Sequence, residues 1–150
     1  MIELREIDEG NFNEVISLSV SEEDQVNVSS VQRSLAEAWL YRKNGDVFPY
    51  ALYADNQLVG FVLLDMDEEE SCCMIWRLLI DQQFQGKGYG KAAIHTIIHL
   101  ATTMGEFSYV RADYVKGNKR MQHLLHSMGF EQFGEDAREL FTRRMVKEKS

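Results

Sequence analysis

The spacing of apolar residues divides the first third of the chain into one extended and two helical segments. Residues 2–7 have the character of a strand. Apolar residues at helical spacing over 12–18, and again over 30–42, predict two helices. Ser29 or Ser30 is placed to cap the second of them, because a serine hydroxyl accepts a hydrogen bond from the first free backbone N–H groups of a helix.

From residue 50 onward the pattern changes to that of strands. Segments 50–54 and 58–65 are rich in β-forming residues and are joined by Asp55-Asn56-Gln57, a typical hairpin turn. Residues 72–81 form a further strand with almost continuous apolar character. We therefore expect this strand to be buried on both faces and to lie at the centre of the sheet.

The second half of the chain predicts one helical crossover between parallel strands. Residues 91–104 form an amphipathic helix, and 107–115 form the strand that follows it. Asn118 can cap the next helix, which ends at Met128, and 139–145 supply a last strand. The predicted fold class is α+β in a single domain, 1–150: a mixed, mostly antiparallel sheet with one parallel crossover and helices on both faces.

Charge and hydropathy exclude several classes of partner. The 150 residues carry 24 Asp and Glu against 16 Lys and Arg, a net charge of −8, which disfavours nucleic acid and agrees with a cationic substrate. No apolar run approaches the roughly 20 residues of a membrane span, and the N-terminus lacks the pattern of a secretion signal. We therefore expect a cytoplasmic protein without a membrane partner.

The residues that most often bind metals are poorly arranged for it. Cys72 and Cys73 are adjacent, so their side chains point to opposite faces of a strand and form neither a disulfide nor a metal knuckle. His95 and His99 are four residues apart, but no third ligand follows at a suitable spacing. The sequence predicts no metal site.

The most informative segment is Gln85-Gly86-Lys87-Gly88-Tyr89-Gly90, between the central strand and the helix that starts at Lys91. Glycines let consecutive N–H groups converge on an anion, and the helix adds the positive end of its dipole. This arrangement predicts a site for a pyrophosphate. A Walker A loop is disfavoured because its glycine spacing is longer and a hydroxyl residue follows its lysine, whereas Ala92 follows Lys91.

A dinucleotide-binding loop is also disfavoured, because the third glycine comes one position early and several elements precede the motif. The motif does resemble the Gln/Arg-x-x-Gly-x-Gly/Ala signature of the GNAT N-acetyltransferase superfamily. Downstream, Asn118, Leu124 and Gly129-Phe130 resemble that family's second motif. The resemblance covers roughly 48–130, and the stretch 75–93 is similar to the bacterial spermine/spermidine acetyltransferases.

The resemblance implies a cofactor and the residues that bind it. Acetyl-CoA would place its pyrophosphate on the backbone of the glycine motif and its pantetheine arm along the central strand. A backbone N–H near Leu79 or Ile80 would stabilise the negative charge that develops on the thioester oxygen. The implied cofactor-binding residues are Leu78, Leu79, Ile80, Gln85, Gly86, Lys87, Gly88, Tyr89, Gly90, Lys91 and Asn118.

The sequence departs from the family at the tyrosine that commonly protonates the CoA thiolate, since Leu125 occupies that position. His126 follows it, but successive helix residues point about 100° apart. Either His126, Tyr114 or water donates the proton, or the reaction proceeds with an unprotonated thiolate as leaving group. Glu22, in an acidic run between the first two helices, could face a cationic amine and act as the base.

The resulting functional prediction is direct transfer of an acetyl group to a primary amine, with a polyamine such as spermidine or spermine as the preferred acceptor. One alternative is acetylation of a protein, at a lysine or an N-terminal amine. Another is an acyl-CoA-binding sensor without turnover, which the departure at Leu125 motivates. The resemblance also implies that the chain can form a homodimer.

Overall fold

A single mixed sheet organises the chain, and the computed structural model describes residues 1–146 of it. The strands are β1 (Ile2–Arg5), β2 (Val47–Ala54), β3 (Gln57–Asp67), β4 (Cys72–Ile80), β5 (Tyr109–Val115), β6 (Glu131–Glu135) and β7 (Glu139–Met145). They lie in the order β1-β2-β3-β4-β5-β7-β6. The β4–β5 pair is parallel and the other neighbouring pairs are antiparallel, which confirms the predicted α+β class.

Helices cover both faces of this sheet, as the sequence predicted. They are α1 (Phe12–Ile16), α2 (Val31–Leu40), α3 (Tyr89–Met104) and α4 (Lys119–Ser127), with short 3₁₀ turns at Asp24–Val26, Arg42–Asn44 and Gln82–Phe84. Apolar side chains of α3 and α4 pack in one cluster with β3, β4 and β5, whereas α1 and α2 pack in a second cluster on the opposite face. The Ser30 and Asn118 side chains cap α2 and α4.

Strand β4 is the fourth of seven strands, so its predicted central position is confirmed. The prediction that both of its faces are buried was wrong in part, because four of the five residues from Met74 to Leu78 keep some solvent exposure. The fully buried strand is β3, in which every residue from Leu58 to Leu64 is buried. Strand β4 is more open because one of its edges borders a cleft, described below.

The boundaries of some elements differ from the predicted ones. Strand β1 ends at Arg5 and α1 at Ile16, each two residues earlier than predicted, while α2 ends at Leu40. Helix α3 begins two residues early, at Tyr89. The reason is that Gly88 adopts the left-handed conformation (φ 81°) and serves as the N-cap, so that Gly90 belongs to the first turn of the helix.

The two cysteines occupy opposite faces of β4, as predicted. Cys73 is buried and Cys72 partly buried, and both are free thiols. Burial is the largest cause that raises the pKa of Cys72 to about 11 and that of Cys73 to about 12. Both side chains are therefore protonated and unreactive at neutral pH.

The environment of Asp65 makes the stability of the folded protein depend on pH. One carboxylate oxygen of Asp65 and one of Asp46 are buried without a hydrogen-bond partner. Burial, and then the charges of Asp46 and Asp67, raise the pKa of Asp65. The Asp65 carboxyl therefore holds its proton more tightly in the folded protein than in the unfolded chain. The stabilisation that this tighter proton binding contributes is complete below the unfolded pKa of the carboxyl and is lost as pH rises through its folded pKa.

The Asp65→Asn variant should therefore be more stable than the parent at pH 7, with Tm about 2 °C higher, and nearly equal to it at pH 3.5. Differential scanning calorimetry at the two pH values measures both effects. Glu69→Gln, at the exposed tip of the same hairpin, is the matched control. An unchanged or lower Tm for Asp65→Asn at pH 7 would contradict the claim that the Asp65 charge destabilises the folded protein at neutral pH.

Candidate active site

The site begins where β4 and β5 separate. The two strands pair in parallel only from Cys72 opposite Tyr109 to Ile75 opposite Ala112. On its other edge, β4 shifts register against β3 at the same level, which leaves Trp76 as an extra residue. A β-bulge of this kind bends a strand and increases its twist. The edge of β4 beyond Ile75 is therefore free of β5 and open to a ligand.

A cleft of about 600 Å³ enters between the separated strands. Its walls come from the end of β4, the glycine motif, the first turn of α3, the end of β5 and the start of α4. Of the predicted cofactor-binding residues it is lined by Leu78, Leu79, Ile80, Gln85, Gly86, Gly88, Tyr89, Gly90, Lys91 and Asn118. One continuous cavity thus joins the glycine motif to the notch between the strands.

The glycine motif presents free backbone donors to this cleft. Within residues 1–146, no backbone N–H from Gln85 to Lys91 donates a hydrogen bond to another backbone group. Gly86 and Gly88 have φ angles of 79° and 81°, and a Cβ built on either of them meets no atom within 4 Å. The motif therefore combines unpaired donors, open space and a helix N-terminus, which suits a diphosphate.

Two cations and one amide support the same end of the cleft. Lys91 and Arg120 both line it. The Gln85 side chain donates a hydrogen bond to the carbonyl of Ile80 (2.7 Å), and its oxygen accepts a longer one from Arg120 (3.4 Å). Gln85 thus connects the glycine motif to the end of β4 and to α4.

Asp81 was not singled out from the sequence, yet it fixes the part of the cleft wall that comes from the segment after α1. Its buried carboxylate accepts hydrogen bonds from the backbone N–H groups of Ser19 (2.9 Å) and Gln83 (3.1 Å). A backbone hydrogen bond from Gln82 to Ser19 adds to this attachment. The segment after α1 is thereby held across the end of β4, and its residues Val20, Asp24, Asn27, Val28 and Ser29 line the cleft.

The proposed proton-transfer residues are not all brought to the cleft. Tyr114 is buried (7% exposed) and lines it, as does Leu125 (1% exposed) at the position of the family's usual tyrosine. His126 lies on the exposed side of α4, and Glu22 is exposed before the first 3₁₀ turn. Neither His126 nor Glu22 lines the cleft.

Lys87, a predicted cofactor-binding residue, is also exposed and outside the cleft lining. Its ammonium lies 5.6 Å from the ring centre of Phe84. Arg77, on β4, combines an ion pair with a position in the cleft wall. Its guanidinium donates to Glu37 (2.8 Å), and its side chain lines the cleft.

Sequence reasoning missed Glu139, the first residue of β7. It lies opposite Val115 in the β5–β7 pairing and lines the cleft beyond the notch. Burial, and then the charges of Asp113 and Asp136, raise the pKa of Glu139. Only the pairing of β7 with β5 brings this carboxylate to the cleft, and no local motif marks it.

In residues 1–146, no three His, Cys, Asp or Glu side chains are grouped so that they could hold a metal ion. No helix in that range is both long and apolar enough to cross a membrane.

Residues 12–130 match the Acetyltransferase (GNAT) family. The chain belongs to this family. It is an acetyltransferase, and the acetyl donor of such enzymes is acetyl-CoA. The diphosphate of that donor suits the free N–H groups of the glycine motif, and its extended arm suits the open edge of β4.

Comparison with individual acetyltransferases gives two kinds of relative. The spermine/spermidine N(1)-acetyltransferase of Bacillus subtilis (strain 168) is 24% identical over 140 residues, which are 89% of this chain and 90% of the relative. The spermidine N-acetyltransferase of Vibrio cholerae, solved with CoA and spermine, superposes with a TM-score of 0.77 at 15% identity over 97% of this chain and 95% of that one.

The second kind acts on a protein. An acetyltransferase of Salmonella typhimurium that modifies the N-terminal serine of a 50S ribosomal subunit protein has a TM-score of 0.76 at 14% identity. The superposition covers 97% of this chain and 95% of the Salmonella protein. These structural similarities show the shared fold.

Gly90 offers a clean test of the diphosphate site. A Cβ on Gly90 would lie 3.9 Å from Leu124 and 4.0 Å from Ile80, which are ordinary contacts, so alanine should be tolerated, as the family signature itself allows. Valine adds two methyl groups at the mouth of the site. We expect Gly90→Val to weaken CoA binding about tenfold or more, and Gly90→Ala to change it little.

Isothermal titration calorimetry with CoA measures both affinities. His95→Val places the same side chain on the exposed side of α3 and controls for valine in a helix. Equal CoA affinity for Gly90→Val and the parent, with an unchanged Tm, would place the diphosphate elsewhere.

Proposed function

We propose that this acetyltransferase moves the acetyl group of acetyl-CoA directly to a primary amine, and that its preferred acceptor is a polyamine such as spermidine or spermine. The observation that carries the choice of acceptor is the alignment, over nine-tenths of both chains, with a spermine/spermidine acetyltransferase. The net charge of −8 favours the approach of a polycation.

The glycine motif and β4 are proposed to position the donor. Backbone N–H groups of Gly86, Gly88 and Gly90 would hold the diphosphate, with Lys91 and Arg120 adding positive charge. The open edge of β4 from Trp76 to Ile80 would pair with the pantetheine amides. Bound acetyl-CoA supplies the thioester carbonyl on which the amine acts.

The rest of the mechanism is orientation and proton transfer. A backbone N–H near Leu79 or Ile80 would stabilise the developing charge on the carbonyl oxygen. Tyr114 is proposed to protonate the leaving thiolate, because its side chain is buried in the cleft wall and Leu125 cannot donate a proton. Asn118 caps α4 and itself lines the cleft, so it would help to position the cofactor there.

An amine panel tests this proposal. The panel contains spermine, spermidine, a monoamine such as butylamine, and peptides with a free N-terminal serine or an internal lysine, and the readout is amine-dependent release of CoA thiol. We expect the highest kcat/KM with spermidine or spermine. Faster reaction with a peptide would replace the polyamine by a protein acceptor, and CoA binding without thiol release for any amine would indicate a sensor.

A further inference from the structure

Glu139 has a backbone fixed by hydrogen bonds, and its side chain, which lines the cleft, forms no hydrogen bond or ion pair within residues 1–146. Its backbone N–H donates to the Asp136 carboxylate (2.6 Å), and its carbonyl accepts from the Asp136 N–H (3.0 Å). This turn places Glu139 beside Val115, at the end of β5 that has separated from β4. The carboxylate therefore projects from a fixed turn into the cleft wall beyond the notch.

The other two carboxylates that line the cleft already have cationic partners. Asp113 forms two hydrogen bonds with the Arg111 guanidinium (2.8 and 2.9 Å). Asp24 accepts a hydrogen bond from the Ser21 hydroxyl (3.2 Å) and lies 3.8 Å from Arg120. Glu139 takes part in none of the six ion pairs found among residues 1–146.

An unpaired carboxylate in a partly buried site costs stability, since burial disfavours the charged form. Burial is the largest cause of the raised pKa of Glu139, and Asp113 and Asp136 add to it. Arg138 and Arg111 act in the opposite direction. Neither arginine forms an ion pair with Glu139 within residues 1–146, so a cationic ligand beside Glu139 would supply a direct partner that this part of the chain does not.

We propose that Glu139 binds the reacting ammonium group of the acceptor and takes a proton from it. This inference rests on the proposed function, amine acetylation in this cleft. The carboxylate accepts one proton from the ammonium and becomes neutral. The freed nitrogen lone pair forms the new N–C bond as the C–S bond of the thioester breaks, the thiolate leaves, and the positive charge on the nitrogen is discharged when its next proton goes to solvent.

The position of Glu139 also defines what it recognises. Among the described residues, Glu139 is the one carboxylate of the cleft lining without an ion pair, so it would meet the nitrogen that is acetylated, and the remaining charges of a polyamine would lie farther out. Glu139 should therefore serve a monoamine as much as it serves spermidine. The class of ligand that it selects is a primary ammonium group on a flexible chain.

Replacement of the carboxylate by an amide tests this. Glu139→Gln should lower kcat/KM at pH 7.5 by about tenfold or more for spermidine and by a similar factor for butylamine, with CoA affinity unchanged. Glu139→Asp should recover part of the loss. Glu135→Gln is the matched control, since Glu135 is exposed, pairs with Lys116 (2.7 Å) and lies outside the cleft.

Two further readouts separate a proton-transfer role from a structural one. The kcat/KM of the parent should fall as pH drops through the raised pKa of Glu139, and Glu139→Gln should lack this acidic limb. Calorimetric binding of spermidine to the CoA-bound protein should weaken about tenfold in Glu139→Gln, whether or not turnover occurs.

The outcomes distinguish this proposal from the proposed function. Amine turnover by the parent together with equal kcat/KM for Glu139→Gln would overturn the role of Glu139 and leave the function intact. If Glu139→Gln lowers kcat/KM for spermidine but not for butylamine, the proposed contact between Glu139 and the nitrogen that is acetylated is overturned. If the parent binds spermidine through Glu139 without releasing thiol, the assignment of Glu139 as the ammonium-binding residue is supported and the proposed function fails.

Discussion

Tyr114→Phe is expected to lower amine-dependent thiol release by about 100-fold while leaving CoA affinity nearly unchanged. The substitution removes only the hydroxyl, and the ring can keep its packing with the buried residues Val110 and Ala112 on the same face of β5. Leu125 offers no proton at the family's tyrosine position. A large loss in kcat with unchanged CoA affinity would therefore indicate that the substitution removed the general acid.

The experiment compares single-turnover thiol release with CoA affinity measured by calorimetry. Tyr89→Phe is the matched control, because Tyr89 also lines the cleft but lies in the first turn of α3, near Phe84. We expect a small change for this control. A rate for Tyr114→Phe within about twofold of the parent would assign the proton to water instead.

Gly60→Ala should destabilise the protein by about 2–3 kcal/mol and lower Tm by roughly 6–10 °C. An added Cβ would lie 2.3 Å from the carbonyl oxygen of Leu79 and 2.9 Å from the Ile80 side chain. The first clash involves backbone in the centre of the sheet, which cannot move without disturbing the β3–β4 ladder. Gly60 is therefore required because the backbone of β4 at Leu79 lies too close to leave room for a side chain.

Gly134→Ala provides the comparison within another strand. Its Cβ would come 3.1 Å from the Phe141 ring, a side chain that can shift, so a smaller loss is expected. Urea unfolding of both variants gives the two free energies of unfolding. A loss below about 1 kcal/mol for Gly60→Ala would show that β4 can yield at Leu79.

Local patterns predicted most of the fold because each reflects a local cause. The hairpin at Asp55-Asn56 follows from two residues that tolerate positive φ, here 49° and 67°. The N-caps at Ser30 and Asn118 follow from side-chain geometry. The start of α3 was missed because Gly90 is a poor helix former, and the left-handed Gly88 before it decides the boundary.

The site was predictable only where a motif lies within one segment. The glycine motif and the end of β4 are contiguous in sequence and could be singled out from it, and of their predicted residues only Lys87 is absent from the described cleft lining. Asp81, Arg77 and Glu139 depend on partners from 40 to more than 60 residues away, or on strand pairing, and no local pattern contains them. The bulge at Trp76 likewise depends on the register between β3 and β4.

Hydrogen exchange measured with and without CoA is the most direct test of the central claim, that the free backbone N–H groups of the glycine motif and of the open β4 edge hold the donor. Saturating CoA should slow exchange at 85–91 and at 76–80, while the exposed hairpin tip at 67–71 is unaffected. Saturable CoA binding that leaves both segments unprotected would contradict the account.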